Sequence, residues 1–338
     1  MSIDTAITDA FRQWLEGEFP THRVRELENG QGLDAAWQTL QHSGFCDALI
    51  AETQGGAGIA LETAAQLLID SGRAALPLPF AATLWVRAAL AARELTPPEG
   101  PITLAQGRRD GARIECPNAD FGRLAEWVLV ALEDEALLLP AASAERQEDG
   151  IHGSLSAHLV WSAMPADGLS LGNDLDWQLI GATLFAAQIA GAADRALSMA
   201  LAYAGDRKQF GKPIGKFQAL QQRLAVMAEE AFAVRMAVQL ALRGQSLAPA
   251  PQAAMVAKAR CSAAVPEITA VAHLVHGAIG VTEEHDLQLF SRRLYDWRGQ
   301  FGSESYWYRR LGSSALSSSE PVIGLIQRWQ EGGVAQSR

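Results

Sequence analysis

Thiols are scarce in this chain. Its 338 residues include 3 cysteines, Cys46, Cys116 and Cys261, far apart and with no CxxC pair. Neither a disulfide scaffold nor a cysteine zinc site can be assembled from them, and such usage fits a reducing cytoplasm. Positive charge is also in short supply: 28 Lys and Arg stand against 38 Asp and Glu, for a formal net charge of −10. A chain this acidic is a poor general binder of nucleic acid or of an anionic membrane, although a local basic patch can still hold one anion. Long apolar runs are missing too. The most apolar uncharged stretch, Trp177 to Ala193, is interrupted by Gln178, Thr183 and Gln188 and falls short of the roughly 20 apolar residues that cross a bilayer. The first residues, MSIDTAITDAFRQWLEGEF, carry acid early and hold no apolar leader core, so a soluble, cytoplasmic protein is the expectation.

Several catalytic signatures are absent. No GxGxxG follows a strand, which argues against a dinucleotide-binding Rossmann unit, and no GxSxG or HExxH gives hydrolase chemistry a foothold. Gly211-Lys-Pro-Ile-Gly-Lys216 imitates a phosphate loop, but it has three residues between its glycines, one of them Pro213, and Phe217 where Ser or Thr should stand. His273 and His276 lie one helical turn apart with His285 and Asp286 downstream. A metal would need further ligands at fixed spacing, so these histidines read as packed or hydrogen-bonded at a helix end, and no metal is assigned.

What is present is a large apolar fraction, 49%, with 20% charged residues, enough for two or three packed cores. Residues 1–97 read as a helical domain: Phe11, Trp14 and Leu15, then Leu33, Trp37 and Leu40, recur at helical spacing, and Leu61 to Ala75 continues the pattern until Pro77 and Pro79 stop it. Gln54 to Gly58 is a turn or a close backbone approach. Residues 98–173 read as a small antiparallel β domain, with short runs at Ile102–Leu104, Ala112–Glu115, Trp127–Leu132, Ala136–Leu139 and His158–Trp161. Residues 174–315 read as a helical bundle. Its helices run over the Ala- and Gly-rich Leu184–Ala204, over Gln218–Leu242, over Pro251–Gly280, and near Asp286–Trp297. A tail, 316–338, holds a short helix around Val322–Trp329. Segregated helical and β blocks predict an α+β fold and exclude a doubly wound sheet.

The most informative stretch runs from Tyr203 to Gln218, YAGDRKQFGKPIGKFQ, between two long helices. Asp206, Lys208, Lys212 and Lys216 read as solvated loop charges. Arg207 differs because it precedes a Phe-Gly break, and a guanidinium beside backbone donors can hold two oxygens of a pyrophosphate at once. The plainer reading of Arg207 is a salt bridge to Asp206 or Glu229.

This stretch resembles the acyl-CoA dehydrogenase family, whose second helical domain carries Arg-x-x-Phe-Gly-x-Pro-Ile-x-x-Phe-Gln. The resemblance extends over most of the chain. Glu52 with Gly55, Gly56 and Gly58 is similar to the family's Pro-Glu-x-x-Gly-Gly-x-Gly turn, Ala125-Glu-Trp-Val-Leu-Val130 to its Ala-Asp-Trp strand, and His276-Gly-Ala-Ile-Gly280 to its Gly-Gly-x-Gly turn near the cofactor. The resemblance implies helical, β and four-helix-bundle domains, FAD as cofactor, and α,β-desaturation of an acyl-CoA. It assigns flavin contacts to Arg207, Gln209, Phe210, Gly211, Ile214, Phe217, Gln218, His276, Gly277 and Gly280.

The sequence departs from the family where the proton acceptor belongs. Alignment on Gly302-Ser303 puts Phe301 at the glutamate position, and a phenyl ring has no lone pair to take a proton. Counting back from Arg207 to the place where a minority of relatives carry that glutamate gives Gly181. Glu304 and Asp296 are the nearby carboxylates, with Glu304 the fallback base. The family's Thr-Glu-Pro-x-x-Gly-Ser-Asp and Trp-Ile-Thr flavin loops have no counterpart between Pro98 and Ala166, and Leu274 and Ala278 replace a family Gln and Gly. Some relatives are tetramers of unlike subunits, and short chains of this type resemble their non-catalytic member. The implied partner is a longer acyl-CoA dehydrogenase subunit carrying the glutamate, in an α2β2 assembly. The alternatives are a homomeric enzyme using another carboxylate and a flavin-free scaffold. Arg292, Arg293, Arg298, Arg309 and Arg310 outnumber Asp296 and Glu304 locally, either bordering an anionic cofactor or forming a solvated or interface face. The identity of the acyl group is left open.

Overall fold

A computed structural model describes residues 3–244 and 246–330; the end of the predicted tail, 331–338, lies outside the described residues. Five helices come first: α1 (Ile3–Glu18), α2 (Thr21–Glu28), α3 (Leu33–His42), α4 (Leu61–Arg73) and α5 (Phe80–Ala91). Eight strands follow: β1 (Ile102–Gln106), β2 (Arg108–Asp110), β3 (Arg113–Ala119), β4 (Trp127–Ala131), β5 (Ala136–Pro140), β6 (Glu145–Glu148), β7 (Ala157–Trp161) and β8 (Leu169–Gly172). Then come α6 (Trp177–Asp206), a two-stranded ribbon of β9 (Lys208–Gln209) and β10 (Lys212–Pro213), α7 (Gln218–Ala241), α8 (Pro251–His276), α9 (Leu287–Gly299), α10 (Glu304–Leu316) and α11 (Val322–Gln330). The chain forms two compact units. The first takes in Met1–Leu67, Leu76–Leu184 and Gln245–Ala248, the second Leu68–Ala75, Phe185–Gly244 and Pro249–Arg338.

In the first unit the amphipathic face of α1 sets Phe11 against Phe45 and Phe80, with ring centroids 4.7 and 4.8 Å apart. Every residue of α5 is buried. A helix covered on all sides shows no polar stripe, which is why the sequence pattern predicts no separate helix after Pro79. Pro79 instead sits at its N-cap, where a missing N–H costs nothing. Thr83 Oγ1 accepts from the Ile102 N–H and donates to the Ile102 carbonyl, both at 3.0 Å, pinning α5 to β1.

The strands form two four-stranded sheets, ordered β1-β4-β5-β8 and β2-β3-β7-β6. The pairing within the sheets is antiparallel as expected, with one exception that the sequence does not show: β1 pairs parallel with β4, Ile102 opposite Trp127. Strands β2 and β6 are exposed and charged or polar throughout, so they lack the apolar alternation by which a strand is read. One core serves both sheets, with Val128, Val130, Leu137 and Leu139 from the first and Ile114, Cys116, Leu159 and Trp161 from the second. The Trp161 indole N–H, unable to go unpaired there, donates to the Pro140 carbonyl at 3.0 Å.

The second unit is helical. Helix α8 lies centrally, packed on α7, α9 and α10. It is long and apolar enough, by length and composition alone, to cross a bilayer, a property that the sequence pattern assigns to no segment; half of that stretch is buried within the protein. The end of α4 crosses α6 with backbones nearly touching. A Cβ on Gly191 would lie 1.9 Å from the Ile69 carbonyl oxygen, and one on Gly72 would lie 2.2 Å from that of Gln188. Arg73 and Asp194 form an ion pair beside this crossing. A side chain at either glycine would force two helices apart, an overpacking cost of about 1–3 kcal/mol or more. Gly191→Ala should therefore lower the urea midpoint by an amount worth at least about 1 kcal/mol, whereas Gly205→Ala, where the added Cβ meets nothing, should leave it within about 0.5 kcal/mol.

Candidate functional site

The ribbon after α6 is a two-residue hairpin, with Gln209 opposite Lys212 and Lys208 opposite Pro213. Its turn residues, Phe210 and Gly211, both take positive φ, +51° and +78°, the requirement of the tight turn that matches strand twist. Glycine takes that conformation freely, but for a bulky residue it is a genuine outlier. The Phe210 ring stands out in solvent, 91% exposed. The ribbon is closed by the Ile214 N–H on the Arg207 carbonyl and tied to α6 by the Arg207 N–H on the Tyr203 carbonyl, each 2.8 Å. Lys212 lies over the Phe217 ring at 4.4 Å. Arg207 itself is exposed, and among the described residues its guanidinium has no ion pair, so the alternative bridge to Asp206 or Glu229 is not formed.

The second predicted cluster is brought to the same place through Tyr203. The Tyr203 ring packs on His276 at 4.7 Å, and His276 packs on His285 at 4.7 Å. His276 is buried at the end of α8, where its Nδ1–H donates to the Ala272 carbonyl at 2.7 Å. Gly277, at φ +64°, ends the helix, and Gly280 has no room for a Cβ, which would sit 2.9 Å from that of His276. Beside it, His273 Nδ1 is buried with no hydrogen-bond partner in the structure; burial, and then His276, hold the His273 pKa below the usual imidazole value. Among the described residues no three His, Cys, Asp or Glu side chains are grouped to hold a metal.

The third feature is the turn between α9 and α10. Phe301 is fully buried at φ +52°, its ring stacked on Phe185 of α6 at 5.8 Å, and its carbonyl accepts from the Trp307 indole N–H at 3.0 Å. No carboxylate occupies the position. Glu304 is bound through both oxygens to Arg298, with Nε to Oε2 at 3.1 Å, and the Arg298 hydrogen bond holds its pKa below the usual carboxylate value. A carboxylate so paired is a weak proton acceptor. Gly181, at the other family base position, is a buried residue of α6.

Sequence reasoning passes over Lys258. It is fully buried, and its Nζ donates to Ser262 Oγ at 2.8 Å and to the carbonyls of Trp297 and Arg298 at 3.1 and 2.9 Å. Ser262 in turn donates to the Arg298 carbonyl at 3.1 Å. The amine thus caps the last carbonyls of α9. The signal in the sequence is faint: a lysine in the Ala-rich first half of α8, two residues before Arg260.

Other basic residues of this region are engaged locally. Arg292 Nε donates to Gln288 at 2.6 Å, Arg293 to the Leu289 carbonyl at 3.1 Å, and Arg310 lies over the Trp307 ring at 5.3 Å.

The fold is that of solved acyl-CoA dehydrogenases. The chain superposes on a chain of the ChsE4-ChsE5 complex from Mycobacterium tuberculosis with TM-score 0.83 at 20% identity, over 95% of this chain and 99% of that one. It superposes on a chain of the Tcur3481-Tcur3483 steroid ACAD with TM-score 0.80 at 23% identity, over 93% and 99%. Residues 180–298 match the C-terminal domain of acyl-CoA dehydrogenases. Acyl-CoA dehydrogenase IpdE2 of Mycolicibacterium smegmatis is 31% identical over 288 residues, covering 84% of this chain and 89% of its own length. FadE34 of M. tuberculosis is 29% identical over 354 residues, 95% of this chain but 49% of that longer protein. The chain belongs to the acyl-CoA dehydrogenase family, oxidoreductases that are generally FAD-dependent.

Burial pushes the Lys258 pKa down from 10.5 to about 7. Between those values the unfolded chain binds a proton that the folded chain does not, so stability gains with rising pH. The urea midpoint should rise between pH 7 and 10, by at most about 1 kcal/mol per pH unit from this group, and Lys258→Met should remove that component.

Proposed function

We propose that this chain is the non-catalytic subunit of an FAD-dependent acyl-CoA dehydrogenase, completing the flavin site of a longer, unlike subunit that carries the glutamate. The single observation behind the reading is an asymmetry within one helical unit. The proton-acceptor position is filled by a buried aromatic pair, Phe301 on Phe185, while Arg207 is exposed and forms no ion pair among the described residues. The similar ChsE4-ChsE5 protein is a complex of two differently named polypeptides, and the similar Tcur3481-Tcur3483 protein is a steroid enzyme. The two-part names support an unlike partner subunit, and the second supports a steroid-linked acyl thioester as substrate class; the α2β2 stoichiometry is part of the proposal.

The residues present fit one half of FAD. Its pyrophosphate is anionic, and Arg207 is a guanidinium in need of an anion, able to hold two oxygens in its planar fork. Gln209, Phe210, Gly211, Ile214, Phe217 and Gln218 would flank it from the hairpin, with His276, Gly277 and Gly280 from the end of α8. His273 Nδ1, buried and unsatisfied, is a polar group awaiting a partner in the same quarter. Bound FAD supplies the hydride acceptor for α,β-desaturation. What this chain does is hold an anion through Arg207, present an aromatic face through Phe210, and exclude water at Phe301. Glu304, the fallback base, is committed to Arg298, which makes it a poor acceptor for the α proton.

Arg207→Ala should leave the chain folded and reduce flavin retained by the assembled complex by about 10- to 100-fold in affinity, the scale of one or two charged hydrogen bonds. Absorbance near 450 nm per complex measures it, and flavin content equal to wild type would remove the assignment. The lone chain should be colourless, and yellow protein with activity on an acyl-CoA would point to a homomer.

A further inference from the structure

Three histidines gather at the end of α8, and their hydrogen bonds fix where each can take a proton. His276 gives its Nδ1–H to the Ala272 carbonyl, so the neutral ring carries its proton on Nδ1 and a lone pair on Nε2. Nε2 forms no hydrogen bond among the described residues. His285, stacked against it, is set the other way. Its Nδ1 accepts the Leu287 N–H at 3.1 Å, so its proton sits on Nε2, and charging this ring would cost that bond. His273, one turn before His276, has Nδ1 buried without a hydrogen bond, and burial and then His276 work against its charged form. Adjacent imidazolium rings repel, so the cluster has room for one added proton. The atom with a lone pair and no bond to lose is His276 Nε2.

His276 is itself buried, and a buried charge is tolerated only beside an opposite one. Among the described residues no carboxylate is paired with it. On α6 its neighbour is Tyr203, with Asp206 three residues on. On α7, Arg223 is turned to Glu267 of α8 at 3.7 Å. Glu283, Glu284 and Asp286, on the segment that carries His285, have interactions of their own. Helix α9 opens on Leu287, which lies beside Gly280, and its first charge is Arg292; α10 faces Lys258 and Arg260 in the first half of α8. The missing counter-charge is the kind of group proposed for Arg207. The two are mechanically joined, since the Tyr203 carbonyl holds the Arg207 N–H while the Tyr203 ring packs on His276.

We propose that His276 makes flavin binding proton-linked: as the pyrophosphate settles on Arg207, Nε2 of His276 takes one proton from solvent, and the charged ring becomes the second cation of the grip. This rests on the reading that the hairpin and the end of α8 hold one half of FAD, and it adds regulation of that site by pH. An anion favours the charged ring, so a lower pH favours bound flavin. Affinity then falls as pH rises through the imidazole range, about pH 5 to 8. The pyrophosphate of FAD keeps its charge throughout that range, so its own titration contributes no slope.

The test uses the full chain in complex with the glutamate-bearing subunit, stripped of flavin and titrated with FAD between about pH 6 and 8. Flavin fluorescence reads the dissociation constant, and calorimetry in two buffers of unlike ionisation enthalpy counts protons. The wild-type dissociation constant should rise by about three- to tenfold per pH unit at its steepest, tenfold being the limit for one proton, with uptake of up to one proton per flavin. His276→Asn keeps a donor where Nδ1 stands and cannot be charged, so it should flatten the slope and abolish the uptake. His285→Asn keeps an acceptor for the Leu287 N–H and should leave both in place. Melting temperatures check the folding of each variant, and the proton count on the wild-type complex decides even if a variant does not fold. A dissociation constant that does not vary with pH, uptake of no proton, or a slope kept in His276→Asn or lost in His285→Asn overturns the proposal. If Arg207→Ala binds flavin as wild type does while His276→Asn flattens the slope, the proton link stands and the assignment of Arg207 fails. Flavin lost from Arg207→Ala with no slope in the wild type is the reverse.

Discussion

A lysine with no access to water organises the α9–α10 corner. A buried ammonium is tolerated only if each N–H finds an acceptor, and Lys258 finds three, two of them carbonyls that end α9. Those carbonyls are free because α9 ends at Gly299, and the chain turns through Gly299–Ser303 with Phe301 in a left-handed conformation. Arg298, whose carbonyl Lys258 holds, reaches forward to Glu304 at the start of α10. The same few groups thus fix the end of one helix, the start of the next and the side chain between them. Burial favours the neutral amine and brings its pKa down to about 7, whereas three acceptors suit the ammonium with its three N–H groups.

The corner keeps its architecture without the proton acceptor that the family places there. Phe301 behaves as core, packed on Phe185. The hairpin after α6 is the reverse case: its backbone is restrained at both ends by hydrogen bonds to Tyr203 and within the ribbon, yet its side chains face outward. Tyr203 joins the two halves of the proposed grip, since its carbonyl holds Arg207 and its ring holds His276. That one tyrosine sets the two halves in register.

The helix–strand–helix order is readable because amphipathic stripes and turn residues are local properties. The break between α6 and α7 is readable from Phe210-Gly211 and Pro213, but the ribbon it forms is not, because strands of two residues carry no alternation. Three more things are not legible. Helix α5 is buried on every face, so its sequence carries no period. Strands β2 and β6 are polar throughout, and the parallel pairing of β1 with β4 depends on partners about 25 residues apart in sequence, which no local pattern encodes. The role of Lys258 is hidden because its acceptors are backbone carbonyls about 40 residues downstream, groups that every residue possesses and no sequence advertises.

The tight turn at Phe210 has a kinetic side. A loop that must be ordered on contact gives up conformational entropy at that moment, but here the backbone is already locked by the two-residue turn and the neighbouring Lys212 is parked on Phe217. The exposed ring has little left to lose beyond its own two torsions. A partner meets a finished shape, so encounters should convert to complexes without a folding delay, and the lifetime of the union should depend on the fit.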